Sequence, residues 1–429
     1  MARRTPEGGS LEVYLLPSVV GGGLGDLAEV HSAGRWLSSA GFPVRIFRRP
    51  GHPETAQGLG PFDWPPITPR PLRRSTRALT VAAQFGVTCA PGRNEPLGRP
   101  GEWAGEVAAL EDAYGRAQVL HLSLEEFART LTSRQQVEER EREGGVPSRL
   151  RRVRRPRSAQ IRQAHELYRK FRAFDRSNLL PLFPTFAPVR AFAREFPEAV
   201  QIGPIRPFGV PPRRRGSRPG RRVVWYASPS TSDRLIDGIR AALVDAGPGA
   251  RLTVRTPRPL SLRPAPGLHI DARAEMTEAA WRRAWAAADL AIVTGSRTLL
   301  EAVAAGVPFL YFNGVAGRGR KVRRHRPEKL LSFLRLGPRG GIGPAWRRDL
   351  LDFSRARRVR EAVRDQLAHP PGAQSVAWSR GFPRGRSEGQ QVLVELARRF
   401  ARGQDRSAPE LVRAWRTTDG GHRAARSKD

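Results

Sequence analysis

Twice in this chain a short apolar strand runs into a turn rich in glycine or hydroxyl side chains. An amphipathic helix follows, and then a second strand. Residues 11 to 20 (LEVYLLPSVV) read as a buried strand, and Gly21, Gly22, Gly23 and Gly25 form the turn. Residues 26 to 40 follow as a helix with Leu27, Val30, Ala33, Trp36 and Leu37 on one face. Gly41 ends it and residues 43 to 47 return as a strand. A strand–helix–strand unit of this length forces the two strands to lie parallel, and parallel sheets must be covered by helices on both faces.

The same grammar restarts at residues 222 to 227 (RVVWYA), with a turn over 228 to 233 and a helix over 234 to 244. Strands over 251 to 255 and 268 to 270 follow. A helix over 275 to 288 then leads into a strand over 290 to 293, the turn TGSRT, a helix closed by Gly306, and a strand over 308 to 312. In the first half, residues 78 to 83 and 117 to 122 are further strands, and 123 to 142 and 158 to 175 are helices. The expected fold class is therefore α/β, with two Rossmann-like doubly wound parallel sheets. At 429 residues the chain is long enough for two separate cores. The expected boundaries are a first domain over 11–199, a Pro/Arg-rich linker over 200–221 and a second domain over 222–370. A helical segment over 371–402 and a disordered tail over 403–429 complete the division.

The formal net charge is +35, carried almost entirely by arginine, since lysine occurs only at 170, 321, 329 and 428. Such a charge draws polyanions: nucleotide phosphates, nucleic acid or an anionic membrane surface. Cys89 is the single cysteine, which excludes an intramolecular disulfide and suits a reducing, cytoplasmic compartment. No apolar run approaches the roughly 18 residues of a membrane-spanning helix.

Two turns can carry chemistry. The glycines at 22, 23 and 25 allow a ligand to approach the backbone closely where a helix begins and its N–H groups lack partners; a tight turn with nothing bound is the alternative. In the second half, the strand over 290–293 delivers Thr294, Gly295, Ser296, Arg297 and Thr298 to the carboxyl end of a sheet, the edge at which open α/β sheets bind ligands. Glu301 lies one helical turn further in, with a solvated helix position as its alternative. Ser230 and Thr231 lie in the first turn of the second half, where a capped turn is an equally good reading. The basic run over 317 to 330 places Arg320, Lys321, Arg323 and Arg324 after the last strand, either near a phosphate or as a solvated face. No Cys/His spacing for a metal is present.

The stretch AAADLAIVTGSRTLLEAVAAGVP resembles the donor-binding signature of the GT-B glycosyltransferases at Asp289, Gly295, Thr298, Glu301, Ala302, Gly306 and Pro308. GGLGD, at residues 22 to 26, is similar to the corresponding loop of bacterial glycogen and starch synthases; the lysine that precedes it there is replaced by Val20 and Gly21. Leu27 stands where a related variant of the loop has histidine. The resemblance implies two domains facing a central cleft, a nucleoside-diphosphate sugar as donor substrate, and no resident cofactor. It implies that Glu301 meets the nucleotide ribose and that residues 296 to 298 face the diphosphate, with Arg297 standing where the family has a small residue. An inverting enzyme of this kind needs a general base; Asp26 and His121 are the candidates, His121 having a satisfied core histidine as its alternative.

The function expected from the resemblance is transfer of a sugar to an acceptor, with a lipid-linked acceptor at the inner face of an anionic membrane as one candidate. Two other readings stay open. One is a nucleotide-sugar epimerase of the same fold, although that family's early arginine–glutamate motif is not found. The other is a non-enzymatic, arginine-driven binder of nucleic acid or another polyanion, whose binding would fall steeply with salt.

Overall fold

The computed structural model describes residues 10–17, 25–47, 77–83, 85–89, 102–125, 178–184, 198–203, 205, 207, 221–227, 231, 233–256, 262–273, 276, 278–312, 314–316, 322–325, 330, 334, 342–354, 356–369, 389–403 and 407–417. The helix expected over 158–175 and nearly all of the one expected over 123–142 fall outside these residues. The chain divides into two compact units. The first gathers Met1–Arg49, Pro61–Ile205 and Gly385–Asp429, and the second Pro50–Gly60 and Arg206–Arg384.

The first unit is built on a six-stranded sheet with order β2-β1-β3-β4-β5-β6. Its strands are β1 (Leu11–Leu16), β2 (Val44–Ile46), β3 (Arg77–Ala83), β4 (Val119–Leu124), β5 (Leu179–Phe183) and β6 (Val200–Gln201). Every neighbouring pair is parallel. Successive side chains of a strand point to opposite faces, and β1 shows both faces buried. Leu11, Val13 and Leu15 enter a core with Val30, Ala33 and Leu37 of α1 (Gly25–Ser39). Tyr14 and Leu16 enter a second core with Phe85 of α2 (Phe85–Thr88) and Trp103, Val107 and Leu110 around α3 (Ala104–Tyr114). Glu12, the acid that interrupts the apolar run of β1, is buried. The Tyr14 hydroxyl donates to its Oε2 at 2.6 Å, the Tyr114 hydroxyl donates to the same oxygen, and Arg45 Nη2 reaches Oε1 at 3.2 Å.

The second unit carries a five-stranded sheet with order β11-β10-β7-β8-β9, again parallel throughout. Its strands are β7 (Arg222–Tyr226), β8 (Ala250–Arg255), β9 (Leu268–Arg273), β10 (Leu290–Val293) and β11 (Phe309–Tyr311). The helices are α4 (Asp233–Asp245), α5 (Glu278–Ala287), α6 (Ser296–Ala305), α7 (Pro344–Ser354) and α8 (Val359–Ala368). An antiparallel hairpin of β12 (Gly314–Ala316) and β13 (Val322–His325) follows β11, so part of the basic run over 317–330 is strand.

The end of the chain departs from expectation. Helices α9 (Gly389–Arg402) and α10 (Ala408–Thr417) belong to the first unit. Val392, Leu393, Leu396, Phe400, Leu411 and Val412 complete the core on the α1 side of its sheet. The stretch read as a disordered tail therefore holds a helix. Ala408, Leu411 and Val412 give it a narrow apolar face. Ser407 and Glu410 cap it reciprocally, with Ser407 N–H donating to Glu410 Oε2 at 3.1 Å and Glu410 N–H to Ser407 Oγ at 3.4 Å. Among the described residues no helix is long and apolar enough to cross a membrane.

Helix α1 lies so close to β1 that a Cβ placed on Gly34 would stand 2.2 Å from Leu15 Cδ1. Gly34→Val is expected to destabilise the first unit by about 1–3 kcal/mol through overpacking, read as a lower urea midpoint at unchanged slope.

Candidate functional site

Strand order fixes where each sheet can take a ligand. In the second unit the chain moves from β7 outward to β8 and β9, then crosses back to place β10 and β11 on the other side of β7. Helices leave in opposite directions from the carboxyl ends of β7 and β10, and the crevice at that switch point is where open sheets bind ligands. The Thr294 hydroxyl spans it, donating to the carbonyl of Tyr226 at the end of β7 over 2.8 Å.

Residue by residue, the turn after β10 is a helix start. Gly295 is the N-cap, in extended backbone. The Thr298 hydroxyl donates to the Gly295 carbonyl at 3.2 Å and accepts its N–H at 3.4 Å. At the far end Gly306 adopts φ 68°, and Val307 N–H closes on the Ala302 carbonyl at 3.0 Å, a conformation glycine enters without a steric penalty. Asp289 serves the opposite edge of the sheet, where its Oδ2 accepts the Arg222 N–H at 3.1 Å. Gly295, Ser296, Arg297, Thr298 and Glu301 are thus brought together on the N-cap and first turns of α6, whose amide dipoles favour an anion.

Glu301 is only 4% exposed. Its Oε2 accepts the indole N–H of Trp281 at 3.2 Å, and its Oε1 accepts Arg297 Nε at 3.0 Å, one helical turn back on the same face. The Arg255 guanidinium, at the end of β8, lies 5.7 Å from the centre of the Trp281 ring, within cation–π range, and Trp285 meets the same indole edge-on at 5.7 Å. Arg255, Trp281, Glu301 and Arg297 therefore form one linked set beside the switch point. Arg255 and Trp281 are absent from the sequence reading; the four-residue spacing of Trp281 and Trp285 on α5 reads only as a core face.

In the first unit the switch point lies between β1 and β3, and α1 begins at the carboxyl end of β1. Gly25 and Asp26 sit in the first turn of α1. Gly22 and Gly23, like Ser230 in the second unit, fall outside the described residues. Thr231 is half-buried between β7 and α4.

His121, a candidate base by sequence, lies in the interior of β4 and is fully buried. Its Nε2 contacts Glu111 Oε1 at 2.9 Å and its Nδ1 contacts the Thr80 hydroxyl at 2.8 Å. These contacts suit the neutral tautomer, with Nε2–H donating to the carboxylate and Nδ1 accepting from the hydroxyl. Asn178 Nδ2 also donates to Glu111 Oε1 at 2.9 Å. Burial pushes the imidazole pKa down against the pull of Glu111, and the hydrogen bond from His121 leads in holding the Glu111 carboxyl low. This is the core-histidine arrangement. Strand register hides it from the sequence, because a histidine in the middle of a strand and one at its end look alike. At the carboxyl end of β4 the structure instead presents a buried carboxylate, Glu125, which accepts the Ser123 hydroxyl. That hydroxyl in turn takes the Phe85 N–H at 2.9 Å. Among the described residues no His, Cys, Asp and Glu side chains gather as a metal site would require.

Neither a protein-family model nor a curated protein sequence matches the chain. Solved structures do match in fold. A UDP-glucosyltransferase from Polygonum tinctorium capable of glucosylating indoxyl superposes with TM-score 0.51 at 12% identity, over 92% of this chain and 99% of that one. The glycosyltransferase of kitacinnamycin gives 0.48 at 15% identity, over 92% and 100%. VinC in complex with dTDP gives 0.48 at 14%, over 90% and 100%. The two-unit α/β architecture is that of the GT-B fold.

Folded His121 stays neutral where the unfolded side chain protonates, below the ordinary value of 6.5. The unfolded state then binds the extra proton, and stability falls as pH drops through that region by at most about 1.4 kcal/mol per pH unit. Urea midpoints between about pH 7.5 and about pH 5.5 should fall in the wild type and flatten in His121→Gln.

Proposed function

We propose that this GT-B-fold chain is a glycosyltransferase that moves a sugar from a nucleoside diphosphate to an acceptor, with the donor held by the second unit at the turn between β10 and α6. The observation that carries this reading is the coincidence of two independent facts. The stretch resembling a donor signature is the one the fold delivers to the switch point of the second sheet, and it opens a helix there.

In this reading the N–H groups of Ser296, Arg297 and Thr298 and the Arg297 guanidinium take the diphosphate. They stabilise the charge that builds on it as the glycosidic bond breaks. The Glu301 carboxylate, an acceptor of two hydrogen bonds per oxygen, takes the ribose hydroxyls. The acceptor belongs to the first unit, where Asp26 stands at the start of α1 and takes the proton from the attacking hydroxyl. The reaction balances without a metal step: the acceptor oxygen gains the sugar, Asp26 gains the proton, and the nucleoside diphosphate leaves with the bonding pair.

A panel of UDP-, GDP-, ADP- and dTDP-sugars tests the donor site by thermal unfolding, because a ligand of the native state raises its midpoint. One donor is expected to raise it, at ligand near a hundred times its dissociation constant by about 2.7 kcal/mol of added stability, with the rise lost in Glu301→Ala. No shift with any donor would sink the reading. Asp26→Asn is expected to keep the shift while turnover of that donor falls by about a hundredfold or more; full activity in this variant would remove Asp26 from the mechanism.

A further inference from the structure

Two of the contacts to Glu301 come from different helices. Arg297 reaches it along α6, Nε to Oε1 at 3.0 Å, and Trp281 reaches it from α5, where the indole N–H donates to Oε2 at 3.2 Å. Arg297 rides on the same helix as the carboxylate, whereas Trp281 ties that carboxylate to another element. The torsion that turns the carboxylate plane of a glutamate has broad wells, so the plane follows its hydrogen-bond partners rather than a rotamer. The indole is a firm partner. It is buried, Trp285 meets it edge-on at 5.7 Å between ring centres, and the Arg255 guanidinium lies 5.7 Å from its centre on the β8 side.

We infer that Trp281 is a positioning residue of the donor site: its indole N–H orients the Glu301 carboxylate toward the ribose hydroxyls. The inference rests on the donor-site reading above. Hydrogen bonds weaken steeply as they bend, so a carboxylate turned out of line loses the hydroxyls even when it stays nearby. An indole N–H only donates, and it carries no charge for the diphosphate to draw off. Trp281 therefore holds the carboxylate alike in the free and the occupied site. Trp285 supplies a comparison within the same cluster. It lies one turn further along α5, is buried as deeply, and its indole N–H has no hydrogen-bond partner among the described residues.

Calorimetric titration with the nucleoside diphosphate that the donor panel selects, and with its 2′,3′-dideoxy form, reads the hydroxyl contact as a ratio of affinities. Wild type is expected to favour the hydroxylated form by about tenfold or more. Trp281→Phe keeps an aromatic ring and loses the N–H. The hydroxylated form should then weaken about tenfold while the dideoxy form binds as in wild type. Trp285→Phe removes the same atoms from the same cluster and should leave the preference intact. A merely structural role would weaken both ligands together. Equal losses in Trp281→Phe, or an unchanged preference there, therefore overturn the positioning role while the donor site stands, and so does a preference lost equally in Trp285→Phe. A wild type that binds the diphosphate without preferring the hydroxyls overturns the ribose assignment of Glu301, and one that binds no nucleoside diphosphate overturns the donor site; the positioning role falls with either. Where circular dichroism shows Trp281→Phe unfolded, 3-benzothienylalanine at position 281 takes its place: sulfur replaces the N–H in a ring of nearly the same shape, and the preference should be lost in the same way.

Discussion

The parallel pairing of every two neighbouring strands described in the two main sheets is the constraint on which the rest depends. A parallel strand must be reached by a crossover, and the crossover brings a helix down onto one face. With helices on both faces, the central strands are buried along nearly their whole length, which is why LEVYLL, ALTVAA and LAIV are nearly continuous apolar runs rather than alternating ones. Backbone groups and polar side chains then find access to a ligand mainly where strands hand over to helices. Each sheet has one carboxyl edge, and on it one place where crossovers diverge. Thr294 and Tyr226 mark that place in the second unit, and the start of α1 marks it in the first.

Much of this was legible beforehand. Strands β7, β8 and β10 and helices α1, α4 and α6 are bounded by glycine or hydroxyl turns, and their periodicity places them within a residue or two. What escaped did so for physical reasons. β5 contains Pro181, which reads as a breaker, yet β5 pairs with β6 only at Leu182 and Phe183, so the missing N–H at 181 faces no strand on that side. The final helix sits in an arginine-dense stretch whose composition signals disorder, and it gives the core only Ala408, Leu411 and Val412. The capping pair Ser407 and Glu410 was the available signal.

The site was legible as a backbone and not as a charge arrangement. A helix N-terminus behind a buried strand follows from LAIVTGSRTLLE; so does the proximity of residues 297 and 301 on one helical face. That Trp281, twenty residues earlier, would reach Glu301 does not follow, because it depends on how α5 crosses the sheet. Three side chains from α5 and α6, with Arg255 from β8, converge only because β10 lies next to β7 in the sheet. His121 shows the reverse case: a residue type associated with proton transfer, placed by register among Thr80, Glu111 and Phe85, where its work is to hold neighbouring elements together.

Helices α9 and α10 lie at the end of the chain yet cover the sheet at its beginning. During synthesis, β1 to β6 and their crossovers emerge long before residues 389 to 417. Until those residues leave the ribosome, the α1 side of the sheet around Leu79, Val81 and Leu120 lacks its lid. The second unit, contiguous but for a short segment, can fold in that interval, while the first must wait with an apolar surface open to aggregation. The second unit is thus synthesised in full before the first unit's sheet receives its last two helices, and a premature stop between residues 385 and 388 would spare the second unit and leave the first without them.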